Sequence, residues 1–134
     1  MTLNRNESRK KAMTILYQIE LYKKNKIDYT KEEVINNNLE ESNIFVEELV
    51  NGVLDKESEL IDLSNKYLNN WTINRLGLTD QAILKIAIYE LLYTNTPPKV
   101  IIDEAIILSK EYSDEQVTGM INGVLDKVYK NNLS

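Results

Sequence analysis

Apolar residues recur at three- and four-residue spacing along almost the whole chain, the period of helices with one buried stripe, and no stretch alternates in the manner of a half-buried strand. The first predicted helix runs from about Glu7 to Lys24, with Ala12, Ile15, Leu16, Ile19 and Tyr22 inward and its lysines and arginines in solvent. Thr30 and Glu33 form a capping box for a second helix that turns Val34, Ile35 and Leu39 inward. Ser42 is the expected cap of a third, whose stripe is Phe45, Val46, Leu49, Val50 and Val53. Leu60, Ile61, Leu63, Tyr67 and Leu68 make another stripe, and the Ser58 region either separates or bends the two.

Beyond a short element with Trp71 and Ile73 that ends near Gly77, Thr79 is the expected cap of a helix with Asp80 in its first turn, where a negative charge suits the macrodipole. Its residues Ala82, Ile83, Leu84, Ile86, Ala87, Ile88, Leu91 and Leu92 leave little polar face, which marks a helix enclosed by others. Pro97 and Pro98 stop it, and Val100 to Glu111 follows with Val100, Ile101, Ala105 and Leu108 inward. Ser113 and Gln116 suggest a second capping box, opening a last helix that ends near Lys130. The expected fold is all-α, about seven helices.

VEELVNGVLDK at positions 46–56 returns as VTGMINGVLDK at 117–127, identical at seven of eleven positions. The echo points to two packed helical subdomains, at about 1–76 and 77–134, within one domain spanning 1–134; elsewhere it is too imperfect for a solenoid. Each copy carries a glycine inside a helix at about 1 kcal/mol relative to alanine. Gly52 and Gly123, with Gly119 beside the latter, are therefore expected to admit a neighbouring helix closely.

Charge changes the picture. The first 26 residues hold Arg5, Arg9, Lys10, Lys11, Lys23, Lys24 and Lys26 against Glu7 and Glu20, an excess of five positive charges on a chain whose net charge is −5. A cationic segment on an acidic body attracts polyanions at that end only, so RNA contact by Arg5, Arg9, Lys10 and Lys11 is expected, with Tyr17 or Tyr22 as stacking surfaces. The alternative is a merely solubilising basic face, with the tyrosines at the edge of the core.

With neither cysteine nor histidine, disulfides, thiolate nucleophiles, imidazole bases and nearly every zinc site fall away. Four scattered glycines match no phosphate-cradling loop, and no cofactor, metal or catalytic residue is expected. The carboxylates gather in runs such as Glu32-Glu33, Glu40-Glu41 and Glu47-Glu48, the pattern of a solvated face. Glu90, inside an apolar run, is the one expected to be buried and paired, with Arg75 or a tyrosine hydroxyl. No run is long enough to span a bilayer or to act as a signal peptide, and a cytoplasmic protein is expected.

Four collinear blocks, RKKAMTILYQIEL, NRLGLTDQAILKIAIYELLY, PPKVIIDEAIILSKEYSDE and INGVLDKVYK, together resemble the NusB family over nearly the whole chain. The resemblance implies a transcription antitermination factor and not an enzyme. It implies binding to boxA RNA of nascent transcripts, notably ribosomal RNA, alongside a small-subunit ribosomal protein acting as NusE, in an assembly with other Nus factors and RNA polymerase. Arg5 and Arg9 match the family's arginine arm, which is richer than here, with Lys10 and Lys11 as substitutes. Asn122 keeps the family residue, whereas Met120 stands where phenylalanine is usual and Gly119 where lysine is common. Asp80 falls where the family presents an acidic residue to the ribosomal protein, with Tyr67 and Trp71 nearby. A protein-binding adaptor without RNA, an accessory domain of an RNA methyltransferase, and a homodimer that hides the arm stay open.

Overall fold

The computed structural model describes residues 2–133, in which seven α-helices and one short 3-10 turn occur without any strand. Helix α1 spans Arg5–Lys24, α2 Lys31–Asn38, α3 Ile44–Asp55, α4 Glu57–Tyr67, α5 Leu78–Tyr93, α6 Pro98–Tyr112 and α7 Glu115–Asn132, with the turn at Ile73–Arg75. No described helix is long and apolar enough to cross a membrane.

Most boundaries follow from local hydrogen-bond chemistry. A capping box opens α1, where the Glu7 amide donates to Asn4 Oδ1 (2.8 Å) and the Asn4 amide to Glu7 Oε1 (3.0 Å). Thr30 caps α2 through the Glu33 amide, but the Glu33 carboxylate makes no return bond to the Thr30 amide, so only half of the expected capping box forms. Three expected caps move by one or two residues. Asn43, not Ser42, accepts the Val46 amide at the start of α3, while the Ser42 hydroxyl donates to Glu47 (2.9 Å). Helix α5 begins at Leu78 after Gly77, which leaves Thr79 inside the first turn without a capping bond. Asp114 caps α7 through the Val117 amide, and Ser113 ends α6 instead. Pro98 occupies the first turn of α6, where its missing N–H leaves no carbonyl unpaired. Lys56 divides α3 from α4, so the Ser58 region follows a break between two helices.

Helix α5 is the axle of the fold, packed against α1, α3, α4, α6 and α7. Ala82, Ile83, Leu84, Ile86, Ala87, Ile88 and Leu91 are all buried on it, in one hydrophobic core shared with the other helices. Two charged side chains interrupt that apolar run. Lys85 is buried with its ammonium 3.2 Å from Glu57, and Glu90 is buried as well.

The duplicated hexapeptide meets two different surroundings. A Cβ on Gly52 would run into the ring tip of Tyr89 on α5, so this glycine does admit a close neighbour. Around Gly119 and Gly123 nothing lies within 4 Å of such a Cβ, and the expected close approach is absent at both. Val100 is also not inward: it is 44% exposed, while Ile101, Ala105 and Leu108 form the buried stripe of α6.

Candidate nucleic-acid interface and partner face

Each residue turns the side-chain direction by about 100° around a helix, so Arg9, Lys10 and Lys11 point to three different sides of α1. Arg9 points inward, because Ala12, Met13 and Leu16, at +3, +4 and +7 from it, are all buried. Its guanidinium grips Glu90 with two parallel bonds, Nε to Oε2 and Nη2 to Oε1, both 2.8 Å. Both side chains are almost fully enclosed. Burial alone would lower the Arg9 pKa, but the Glu90 hydrogen bond and charge, with Glu104 adding to them, raise it on balance and keep the group charged. Arg9 is therefore not the solvated residue expected, and it rather than Arg75 is the partner of Glu90. The Arg75 guanidinium lies 4.0 Å over the Trp71 ring instead.

Lys10 emerges on the flank facing α6. Its ammonium sits 3.0 Å from Glu111 Oε2 and 3.1 Å from Oε1, and that hydrogen bond raises its pKa. On the same flank the Asn6 side-chain Nδ2 donates to Glu104 Oε2 (3.0 Å). Half-buried Tyr17, about two turns beyond Lys10, shares this side of the helix.

Lys11 emerges on the opposite flank, toward the connection between α2 and α3. There a groove of about 770 Å³ is lined by Arg5 and Lys11 together with Phe45 and the acidic Glu40, Glu41 and Glu48. Arg5 is exposed, with its guanidinium 3.9 Å above the Phe45 ring. The cationic segment is thus split between two surfaces, and Arg9 belongs to neither. Of the α7 residues, Asn122 is exposed and Met120 is half-buried against the core.

The expected partner-binding residues gather around the turn before α5. Asn70 takes a left-handed backbone conformation, which asparagine tolerates, just before Trp71. Trp71 is half-buried, and its Nε1 is the one enclosed side-chain donor among the described residues with no acceptor. Tyr67 ends α4 half-buried, with the Lys66 ammonium 5.4 Å from its ring centroid. Asp80 is half-buried and accepts a hydrogen bond from the Ser113 hydroxyl, which ties the start of α5 to the end of α6. Ser113, expected to cap α7, is thus what orients Asp80.

The NusB family profile matches residues 6–130 of the chain. This chain belongs to the NusB family. It is 40% identical over 131 residues to the transcription antitermination protein NusB of Macrococcus caseolyticus, covering 96% of this chain and 98% of that protein. Among solved structures, T. maritima NusB superposes with a TM-score of 0.85 at 30% identity, covering 100% of this chain and 96% of that one. A NusB solved with NusE and double-stranded RNA shares the fold at a TM-score of 0.79 and 24% identity, covering 94% and 96% of the two chains. Glu104 and Glu111 opposite α1, Phe45 under Arg5, and Arg75 on Trp71 are neighbours that NusB-family motifs alone did not indicate. Only Arg9 carried a visible signal, its apolar neighbours at +3, +4 and +7.

Proposed function

We propose that this chain is a transcription antitermination factor that binds boxA RNA of nascent transcripts, notably ribosomal RNA, together with the small-subunit ribosomal protein that acts as NusE. The end-to-end similarity to an antitermination protein carries the reading. The exposed cations of α1 agree with it in physical terms, since phosphate contacts supply most sequence-independent affinity for nucleic acid. In this proposal Arg5, Lys10 and Lys11 contact phosphates, and Arg9 acts indirectly by fixing α1 to α5. Tyr17, Met120 and Asn122 provide the base-reading surface.

The acidic body steers the cationic ribosomal protein, and Asp80, with Tyr67 and Trp71, forms the protein-partner face. Other Nus factors and RNA polymerase complete the assembly, which places the chain in the cytoplasm in a binding rather than a catalytic role. We read the chain as one domain whose two subdomains meet at the turn before α5.

A second reading, an adaptor that does not touch RNA, draws on one specific observation: Arg9 and Lys10 are both engaged by carboxylates of this chain. The deciding experiment compares binding of the purified chain, with and without the ribosomal protein, to boxA RNA and to a scrambled RNA. Preference for boxA is expected, strengthened by the ribosomal protein. No measurable binding to either RNA in both conditions would favour the adaptor, and equal affinity for the two would reduce the reading to sequence-independent phosphate contact. In the same assay Asp80→Lys should weaken binding of the ribosomal protein by about 1–3 kcal/mol while circular dichroism stays helical.

A further inference from the structure

Lys10 has one positive charge, and in the free protein Glu111 holds it with both carboxylate oxygens. The pair is in solvent, with side-chain exposures of 33% for Lys10 and 44% for Glu111, so both groups are open to an arriving phosphate. A phosphate oxygen bound to Lys10 would have to share that ammonium with the carboxylate or replace it. Either way it would sit well inside the roughly 8 Å over which salt leaves like charges repelling each other. Arg5 differs in kind, because it rests on the neutral ring of Phe45, which a phosphate does not have to displace.

Resting on the RNA-binding reading above, we infer that Glu111 is an intramolecular competitor for the RNA backbone and sets the affinity of the α1 surface by occupying Lys10. Exposed ion pairs of this kind are weak, so the competition reduces RNA affinity without abolishing it. The same weakness makes Lys10 available once neighbouring contacts have brought the RNA close. On the same flank Glu104 accepts a hydrogen bond from the Asn6 side chain, a second polar link between α6 and the basic helix.

The test is a double-mutant cycle in RNA affinity with Lys10→Gln and Glu111→Gln, using boxA RNA, the full chain and the ribosomal protein over a range of salt concentrations. Glu111→Gln should raise affinity by about 2- to 5-fold at low salt and steepen the dependence of log affinity on log salt, because Lys10 is released as a full phosphate contact. In the Lys10→Gln background most of that gain should vanish. An unchanged affinity in Glu111→Gln, or an equal gain in both backgrounds, would overturn the inference while wild-type binding left the RNA reading intact. If neither the wild type nor Glu111→Gln prefers boxA over scrambled RNA, the RNA reading fails and the inference falls with it. Because the pair is exposed, unfolding midpoints of the single variants should match wild type, so an affinity change cannot be assigned to misfolding.

Discussion

The seam where α1 and α3 meet α5 and the outer surface of α6 and α7 use the same two devices, an ion pair and a helical glycine, to opposite ends. In the seam, Arg9–Glu90 is enclosed and bidentate, and Gly52 gives way to Tyr89, the residue preceding Glu90. On the outer surface, Lys10–Glu111 is open to water and Gly123 faces empty space. Residue type alone therefore says little about role. Adjacent cations Arg9 and Lys10 differ because one turns into the core and the other out of it, and the two copies of NGVLDK differ because only one lies under a tyrosine.

The contrast breaks most visibly at the buried pair. Removing one partner strands a charge without water, so Glu90→Ala should cost about 3–5 kcal/mol in denaturant unfolding. The double variant Arg9→Met with Glu90→Leu should be far less destabilised than Glu90→Ala. If Glu90→Ala left stability unchanged, the seam would not depend on its ion pair. Next in size, Gly52→Ala forces the Tyr89 ring aside and should destabilise by about 1–3 kcal/mol, although alanine favours the helix. In a Tyr89→Leu background that penalty should shrink. On the outer surface the sign reverses. Gly123→Ala meets nothing and should stabilise by about 0.5–1 kcal/mol, read as a higher unfolding midpoint. A loss of stability there would mean that the open face is occupied.

Hydrophobic spacing indicated about seven helices and the central place of α5, because burial of an apolar stripe is a property of one segment and its period, but it left open whether α3 and α4 were two helices or one bent one. Capping was less legible. Ser42 beside Asn43 and Ser113 beside Asp114 each offer two side chains able to accept the same amide, and backbone geometry decides between them. Glu90 was recognisable as a buried acid from its apolar neighbours, but its partner lies 81 residues away in sequence, beyond any local pattern. Arg9 did sit on the buried stripe by its spacing. Its charge suggested solvent only because the carboxylate that neutralises it belongs to another helix. Gly52 and Gly123 could not be told apart from identical hexapeptides, since the difference is made entirely by Tyr89.

The division of the start of α1 into one structural arginine, Arg9, and three cations that reach solvent is tested most directly by the salt dependence of boxA RNA binding in an Arg5→Ala, Lys10→Ala, Lys11→Ala variant. The variant should keep the wild-type unfolding midpoint and bind boxA and scrambled RNA alike more weakly. Its slope of log affinity against log salt should be shallower by roughly 1.4 to 2 units, at about 0.7 for each phosphate of a single strand that is no longer neutralised, with Lys10 counting for less than a full contact while Glu111 holds it. Wild-type affinity and slope in the triple variant would contradict the assignment and leave Arg5, Lys10 and Lys11 with no part in RNA binding.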